Sequence, residues 1–165
     1  MKDGKVYIGI DVGVHGAICI VDEKGVGIET MDMPVAVGSD NKLKTDAVLM
    51  AMYVREKMHF YDVAGVCIEH VSAMPKQGVT SSFNFGVSFG VCMGVVGALA
   101  LPVILVKPNV WKKEFNLHKK DKDYSRTRAI QRWPHLADDL KRKKDCDRAD
   151  ALWLAFYAFQ VDNRL

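Results

Sequence analysis

The order of apolar and polar positions divides the chain into strand-like and helix-like stretches. Residues 5–10 alternate weakly and are β-branched between Asp3-Gly4 and Asp11-Val12-Gly13, which predicts a first strand. Ala17–Val21 and Gly27–Met33 predict two more, joined by the turn Asp22-Glu23-Lys24-Gly25, and their spacing predicts an antiparallel meander. Thr45–Phe60 sets Ala47, Val48, Met50, Ala51, Val54 and Met58 at helical spacing, with Thr45 or Asp46 as the cap. Ala64–Glu69 predicts a short buried strand that ends in a single acid. A helix over about Ser81–Leu99 places Gly86, Gly90, Gly94 and Gly97 on one face. Each glycine costs roughly 1 kcal/mol against alanine in a helix interior, so this face implies a close approach, by the sheet or by the same helix of a second subunit. Residues 102–106 (PVILV) read as a covered strand. Helices follow near Asn109–Phe115, Asp123–Trp133 (stopped before Pro134) and Asp147–Val161. The order βββ, α, β, α, β and then helices predicts an α/β fold with a five-stranded mixed sheet flanked by helices, in one domain spanning residues 1–165.

Composition narrows the class without naming a chemistry. The 165 residues are 49% hydrophobic and 26% charged, which excludes disordered, collagen-like and low-complexity chains. A chain of this length buries about 70% of its unfolded surface and needs no disulfide or structural metal to hold a core. Cys19, Cys67, Cys92 and Cys146 lie far apart with no C-x-x-C spacing, which fits a reducing compartment and argues against a disulfide framework or a zinc ribbon. The stretch Gln77–Val106 carries no Asp, Glu, Lys or Arg and is long enough to span a bilayer. Its polar opening (Ser81, Ser82, Asn84), its glycines and the break at Pro102 predict a buried helix followed by a strand, and no membrane. The opening residues MKDGKVYIGID hold no apolar signal segment, so the expected location is the cytoplasm.

Charge is uneven. Residues 1–100 carry 8 Lys and Arg against 11 Asp and Glu, whereas residues 101–165 carry 15 against 9. A basic C-terminal half suits a polyanionic partner, because clustered Lys and Arg displace counterions from phosphates.

Four carboxylates stand where a charge is costly. Asp11 ends the first strand and Glu69 the fourth, while Asp147 and Asp150 open the last helix three residues apart and so share one face. Each alone could be a cap or a surface ion pair. If the first and fourth strands are neighbours, their acids meet, and clustered like charges need protons or a cation. Hard oxygen donors with no His or Cys companion favour magnesium or manganese over zinc. Two such ions could clamp an in-line displacement at a phosphodiester.

The motifs Ile8-Gly9-Ile10-Asp11-Val12-Gly13, Cys67-Ile68-Glu69-His70-Val71 and Asp147-Arg148-Ala149-Asp150-Ala151-Leu152 occur in the order, and at about the separations, of Holliday-junction resolvases of the RuvC type. With Pro108-Asn109-Val110-Trp111-Lys112-Lys113 and Lys122-Asp123-Tyr124-Ser125-Arg126, the chain resembles a phage or viral branch of that family over its whole length. The resemblance implies a ribonuclease-H-like fold, a homodimer with two-fold symmetry, and magnesium-dependent paired nicking of four-way DNA junctions with two ions per site, manganese substituting. It implies that Asp11, Glu69, Asp147 and Asp150 are the catalytic acids and the metal ligands, and that no nucleotide cofactor is needed. It places Lys112, Lys113 and Lys122 near the phosphate. Where bacterial members carry an aromatic just after the acid of the fourth strand, this chain runs Ser72-Ala73-Met74-Pro75-Lys76.

Further candidates complete the DNA-contact set: Lys76, Phe83, Arg126 and the run Lys141-Arg142-Lys143-Lys144, which leads straight into the acids of the last helix. Phe83 and Phe85 have two readings, core residue or stacking face for an unpaired base. Asp145 is expected in a loop or as a cap, with replacement of Asp147 as a ligand the alternative. His70 is expected on the opposite face from Glu69, and Trp111 and Trp133 as core anchors. Other function classes compatible with these residues are a nuclease for other branched DNA or RNA, a non-catalytic junction-binding protein, and an actin-like ATPase, the last disfavoured because no room remains for a second phosphate loop and a second domain.

Overall fold

The computed structural model describes residues 2–70, 72 and 78–164; Lys76 therefore lies outside the described residues. Five strands form one sheet in the order β3-β2-β1-β6-β7: β1 (Lys5–Asp11), β2 (Ala17–Asp22), β3 (Gly27–Asp32), β6 (Asp62–Glu69) and β7 (Val103–Val106). The first three are the antiparallel meander that their spacing predicts, and β6 and β7 add in parallel to β1. A second, two-stranded sheet pairs β4 (Val35–Val37) with β5 (Leu43–Thr45); the sequence reading did not anticipate this hairpin. The helices are α1 (Ala47–Phe60), α2 (Val79–Ala98), α3 (Pro108–Glu114), α4 (Lys122–Arg132) and α5 (Cys146–Asp162). Asp46 caps α1 by accepting from the amides of Val48 and Leu49, and Asp121 caps α4 through Tyr124 N.

Strand alternation splits the core in two. Val6, Ile8 and Ile10 of β1, Ile18 and Ile20 of β2, and Val66 and Ile68 of β6 pack against α1 and α2. The residues between them face the other way, into a core built by α5 with Trp111, Phe115, Trp133 and Leu140. On that second face the register sets Cys19, Gly9 and Cys67 side by side across three strands. Small side chains there let α5 descend onto the sheet. A Cβ placed on Gly9 would stand 2.0 Å from the carbonyl oxygen of Ala151 and 2.3 Å from the amide nitrogen of Ala155, so α5 touches β1 backbone to backbone.

The glycine face of α2 does not pack on the sheet. Nothing among the described residues lies within 4 Å of a Cβ built at Gly86, Gly90, Gly94 or Gly97. Instead Ser88, Cys92, Val95 and Val96 are the side chains α2 buries, and the glycine stripe faces outward with Val79, Phe83 and Val87.

Candidate active site

Parallel pairing of β1 and β6 ends at Ile10 opposite Ile68, which brings Asp11 and Glu69 to the carboxyl ends of adjacent strands. Because Ile10 and Ile68 point into the α1–α2 core, the acids one residue later point to the α5 face. The tight contact at Gly9 fixes α5 above that face, and Asp147 in its first turn and Asp150 one turn later come down beside the strand acids. Four side chains remote in the chain thus form one cluster: the charges of Asp150, Glu69 and Asp147 all act on Asp11.

Two further helices complete the cluster. From α3, Trp111 is fully buried and donates its indole Nε1–H to Glu69 Oε1 at 2.9 Å, and Lys112 Nζ stands 4.0 Å from Asp150 Oδ2. From α4, Ser125 donates its hydroxyl to Asp150 Oδ1 at 2.6 Å and Lys122 Nζ lies 2.9 Å from Asp147 Oδ1. Trp153 Nε1 donates to the carbonyl of Ser125 at 3.2 Å, tying α4 to α5 just below the site. Three acids therefore each have an assigned donor. No described side chain donates to Asp11, and its carboxyl is pushed well above the usual range by burial first, then by the charges of Asp150, Glu69 and Asp147, with only Lys122 opposing. Burial likewise raises Asp150 to about 6, against the lowering effect of the Ser125 hydrogen bond and of Lys112 and Lys122.

The cluster opens into a cleft of about 360 Å³ lined by Asp11, Glu69, Asp147, Lys122, Phe85 and the turn of residues 12–16. The donor chemistry fits a hard divalent cation: carboxylates only, at least one of them destabilised by its neighbours. Among the described residues no three His, Cys, Asp or Glu side chains stand close enough together to hold a metal ion as they are, and Lys112 and Lys122 act as the counter-charges.

The other candidates divide. Asp145 is turned away: it is buried and bound by Arg142 through the backbone amide (2.7 Å), Nε (3.0 Å) and Nη2 (2.7 Å), and these bonds outweigh the effect of burial and hold its carboxyl below the usual range. Arg126 braces α4 against the following loop, donating to Asp123 Oδ1, to Leu140 O and to Lys141 O. Lys113, Lys141 and Lys143 are exposed, and Lys144 lines a cleft that it shares with Asp147. Phe83 is 70% exposed and is not a core residue, whereas Phe85 is half-buried between the acid cleft and the next groove. His70 packs edge-on against Phe89 of α2, on the face opposite Glu69. Trp111 and Trp133 are core anchors, and the sequence reading missed the further part Trp111 takes in holding Glu69. It named Ser125 only within a motif and gave it no role, because no local pattern joins positions 125 and 150.

No protein-family model and no curated protein matches the sequence. Solved structures do match in shape. RuvC of Thermus thermophilus in complex with a Holliday junction substrate aligns over 97% of this chain and 96% of that one, with a TM-score of 0.64 at 18% identity. A second structure of RuvC from Thermus thermophilus gives a TM-score of 0.53 at 20% identity, over 94% of this chain and 96% of that one. The yeast mitochondrial Holliday junction resolvase gives 0.50 at 14% identity, over 95% of this chain and 79% of that one. The chain shares the fold of these proteins, the mixed five-stranded sheet with flanking helices expected of a ribonuclease-H-like domain.

Proposed function

We propose that this chain is a structure-selective endonuclease that resolves four-way DNA junctions by paired, symmetric nicks, with magnesium or manganese as its ion. The observation that carries the reading is the convergence of Asp11, Glu69, Asp147 and Asp150 from two strand ends and one helix start: Asp11, Glu69 and Asp147 line one cleft with Asp150 buried beside them, and burial together with the charges of the other three holds Asp11 above its ordinary titration range. Such a cluster is expensive to fold unless a cation or protons offset it. The shared fold with two RuvC structures, one of them bound to a junction, and with a mitochondrial resolvase supports the substrate class.

Asp11, Glu69, Asp147 and Asp150 would hold two divalent ions, which supply Lewis-acid activation of water and charge stabilisation at the leaving oxygen. The protein's own share is positional. Trp111 and Ser125 fix the rotamers of Glu69 and Asp150, so the acids do not reorganise as the phosphate arrives. Lys122 and Lys112 border the cluster and hold positive charge where a phosphodiester enters and where its attacked form gains a charge. The exposed lysines 113, 141, 143 and 144 would add sequence-independent attraction to the DNA backbone. Paired nicks need two sites in one particle, and the outward glycine stripe of α2, flanked by Val79, Phe83 and Val87, is the surface on which a second copy would pack to make a homodimer.

The test is cleavage of a synthetic four-way junction with magnesium. Symmetric nicks leaving 5′-phosphate and 3′-hydroxyl ends are expected, and Asp11→Asn, Glu69→Gln, Asp147→Asn and Asp150→Asn should abolish cutting while leaving junction binding. Preferential cutting of structured RNA or flaps at the same salt concentration would redirect the substrate, and tight binding without cleavage in either ion would reduce the protein to a scaffold.

A further inference from the structure

Three clefts meet at the turn of residues 12–16, and they differ in charge. The acid cleft sets Lys122 among Asp11, Glu69 and Asp147. A second, of about 480 Å³, sets Lys144 among Asp32, Asp145 and Asp147. The third, of about 450 Å³, runs between the turn, the β4–β5 hairpin and the first half of α2, and is lined by His15, Lys42, Lys44, Ser81, Asn84 and Phe85 among others. No carboxylate belongs to that third lining among the described residues. Gly13, Val14, His15 and Phe85 line both it and the acid cleft, so the two are continuous and the charge of the walls changes sign across the turn.

We propose that this third groove seats the unpaired nucleotides flanking the phosphate that is cut, with Phe85 as the stacking face and Lys42 and Lys44 receiving the neighbouring phosphates; the proposal rests on the nuclease reading above. A strand that places one phosphate among carboxylates carries the next phosphate past the end of the acid cluster. Cations are needed there, and the hairpin supplies two. Lys44 Nζ lies 3.1 Å from Asp40 Oδ2 and 3.5 Å from Asn84 Oδ1; both charged partners are well exposed, so the pair is weak and a phosphodiester competes for the ammonium on equal charge. Lys42 has no ion pair among the described residues and its side chain is exposed. The walls are held in place, because Thr45 Oγ1 donates to Ser88 Oγ at 3.1 Å in a buried contact that ties the hairpin to α2. One aromatic face beside two cations is the arrangement that binds a single strand without regard to sequence, since every base offers a π-face.

The experiment measures binding of a fluorescent four-way junction across a salt series, on an Asp150→Asn background so that no cutting occurs. Replacing both lysines (Lys42→Gln with Lys44→Gln) should weaken binding tenfold or more at fixed salt. It should also reduce the slope of log affinity against log salt by about 1.4–1.8, the loss of two phosphate contacts. Phe85→Leu should keep that slope and abolish the quenching of a 2-aminopurine placed next to the cut position. Unchanged affinity and slope in the double variant, with the Asp150→Asn parent binding normally, overturns the groove alone and leaves the nuclease reading in place. Failure of the parent itself to bind a junction overturns both. Thermal melting of each variant separates these outcomes from misfolding.

Discussion

Trp111 and Glu69, 42 residues apart, are joined by an indole N–H donated to a carboxylate oxygen at 2.9 Å, from a fully buried ring to a half-buried acid at the cleft. The bond leaves one oxygen of Glu69 engaged and sets the direction of the other. Trp111→Phe keeps an aromatic in the core and removes only the donor. The expected result is a 10–100-fold higher magnesium concentration for half-maximal cleavage, the usual cost of losing a partner that orients an ion's ligand. A metal titration of the cleavage rate checks it, and an unchanged titration curve would show that the indole serves packing only.

Ser125 acts on Asp150 in the same manner but with a consequence for pH. Its hydroxyl favours the carboxylate form, opposing the burial that raises Asp150 to about 6. A hydrogen bond to a charged group is worth about 1.5–3 kcal/mol, or about 1–2 pH units of titration. Ser125→Ala therefore moves the acid limb of the pH–rate profile upward by about one unit, with the plateau rate at high pH largely kept. A profile that falls uniformly at all pH values would assign Ser125 a structural part instead.

The carboxylate cluster also sets how stability depends on pH. In the unfolded chain Asp11 and Asp150 titrate near 4, whereas in the folded chain both hold their protons to higher pH. The folded state then binds more protons than the unfolded state above pH 4, so stability falls as pH rises through about 6. Asp32 and Asp145 work in the opposite sense, because Arg148 and Arg142 hold their carboxyls low, but their effect lies below pH 4. Without divalent ions the protein should melt lower at pH 8 than at pH 5. Asp11→Asn should lessen that decline, leaving the part due to Asp150, and raise the melting temperature at pH 8 by relieving a buried charge and its repulsion. Magnesium should stabilise the parent and not the variant. Scanning calorimetry with and without chelator decides it, and equal melting of parent and variant at pH 8 would mean that the four acids do not strain the fold.

Much of this site could be seen in the chain itself, because strand ends and helix starts are local signals. Asp11 and Glu69 each close a β-branched run, and Asp147 and Asp150 share a helix face by spacing alone. What joins them is not local. The donors from Trp111 and Ser125 depend on where α3 and α4 dock, which no periodicity encodes. The β4–β5 hairpin escaped detection because three-residue strands are too short to show alternation. Phe83 was ambiguous for another reason: α2 is apolar nearly all round, so spacing does not say which side is buried, and the side that faces outward holds its glycines and Phe83.

Among the described glycines of the five-stranded sheet, Gly9 is the one whose side chain would run into main chain. Its Cβ would fall inside contact distance of backbone atoms of both Ala151 and Ala155, which no rotamer change relieves. Gly9→Ala must part β1 from α5, and the expected loss is about 3 kcal/mol or more, beyond ordinary overpacking because the obstacle is main chain. The same movement lifts Asp147 and Asp150 off Asp11. Urea denaturation should show the lowered midpoint, and metal-dependent cleavage should fall in the fraction that remains folded. A variant of parental stability would mean that α5 does not sit as close to β1 as the contact requires.

The outward stripe of α2 makes the opposite prediction for glycine. With nothing within 4 Å of a Cβ at Gly90, a larger residue there meets no obstacle within the chain and gains up to about 1 kcal/mol of helix propensity. If a second copy packs on this face, the same residue blocks it. Gly90→Arg should therefore fold at least as stably as the parent, sediment as a monomer where the parent sediments as a dimer, and nick a four-way junction on single strands without pairing the cuts. Sedimentation velocity and a supercoiled cruciform plasmid, which reports whether both nicks fall within one binding event, read the two effects separately. A dimeric Gly90→Arg protein would move the pairing surface off α2, and a monomeric parent that still pairs its nicks would remove the need for a second copy altogether.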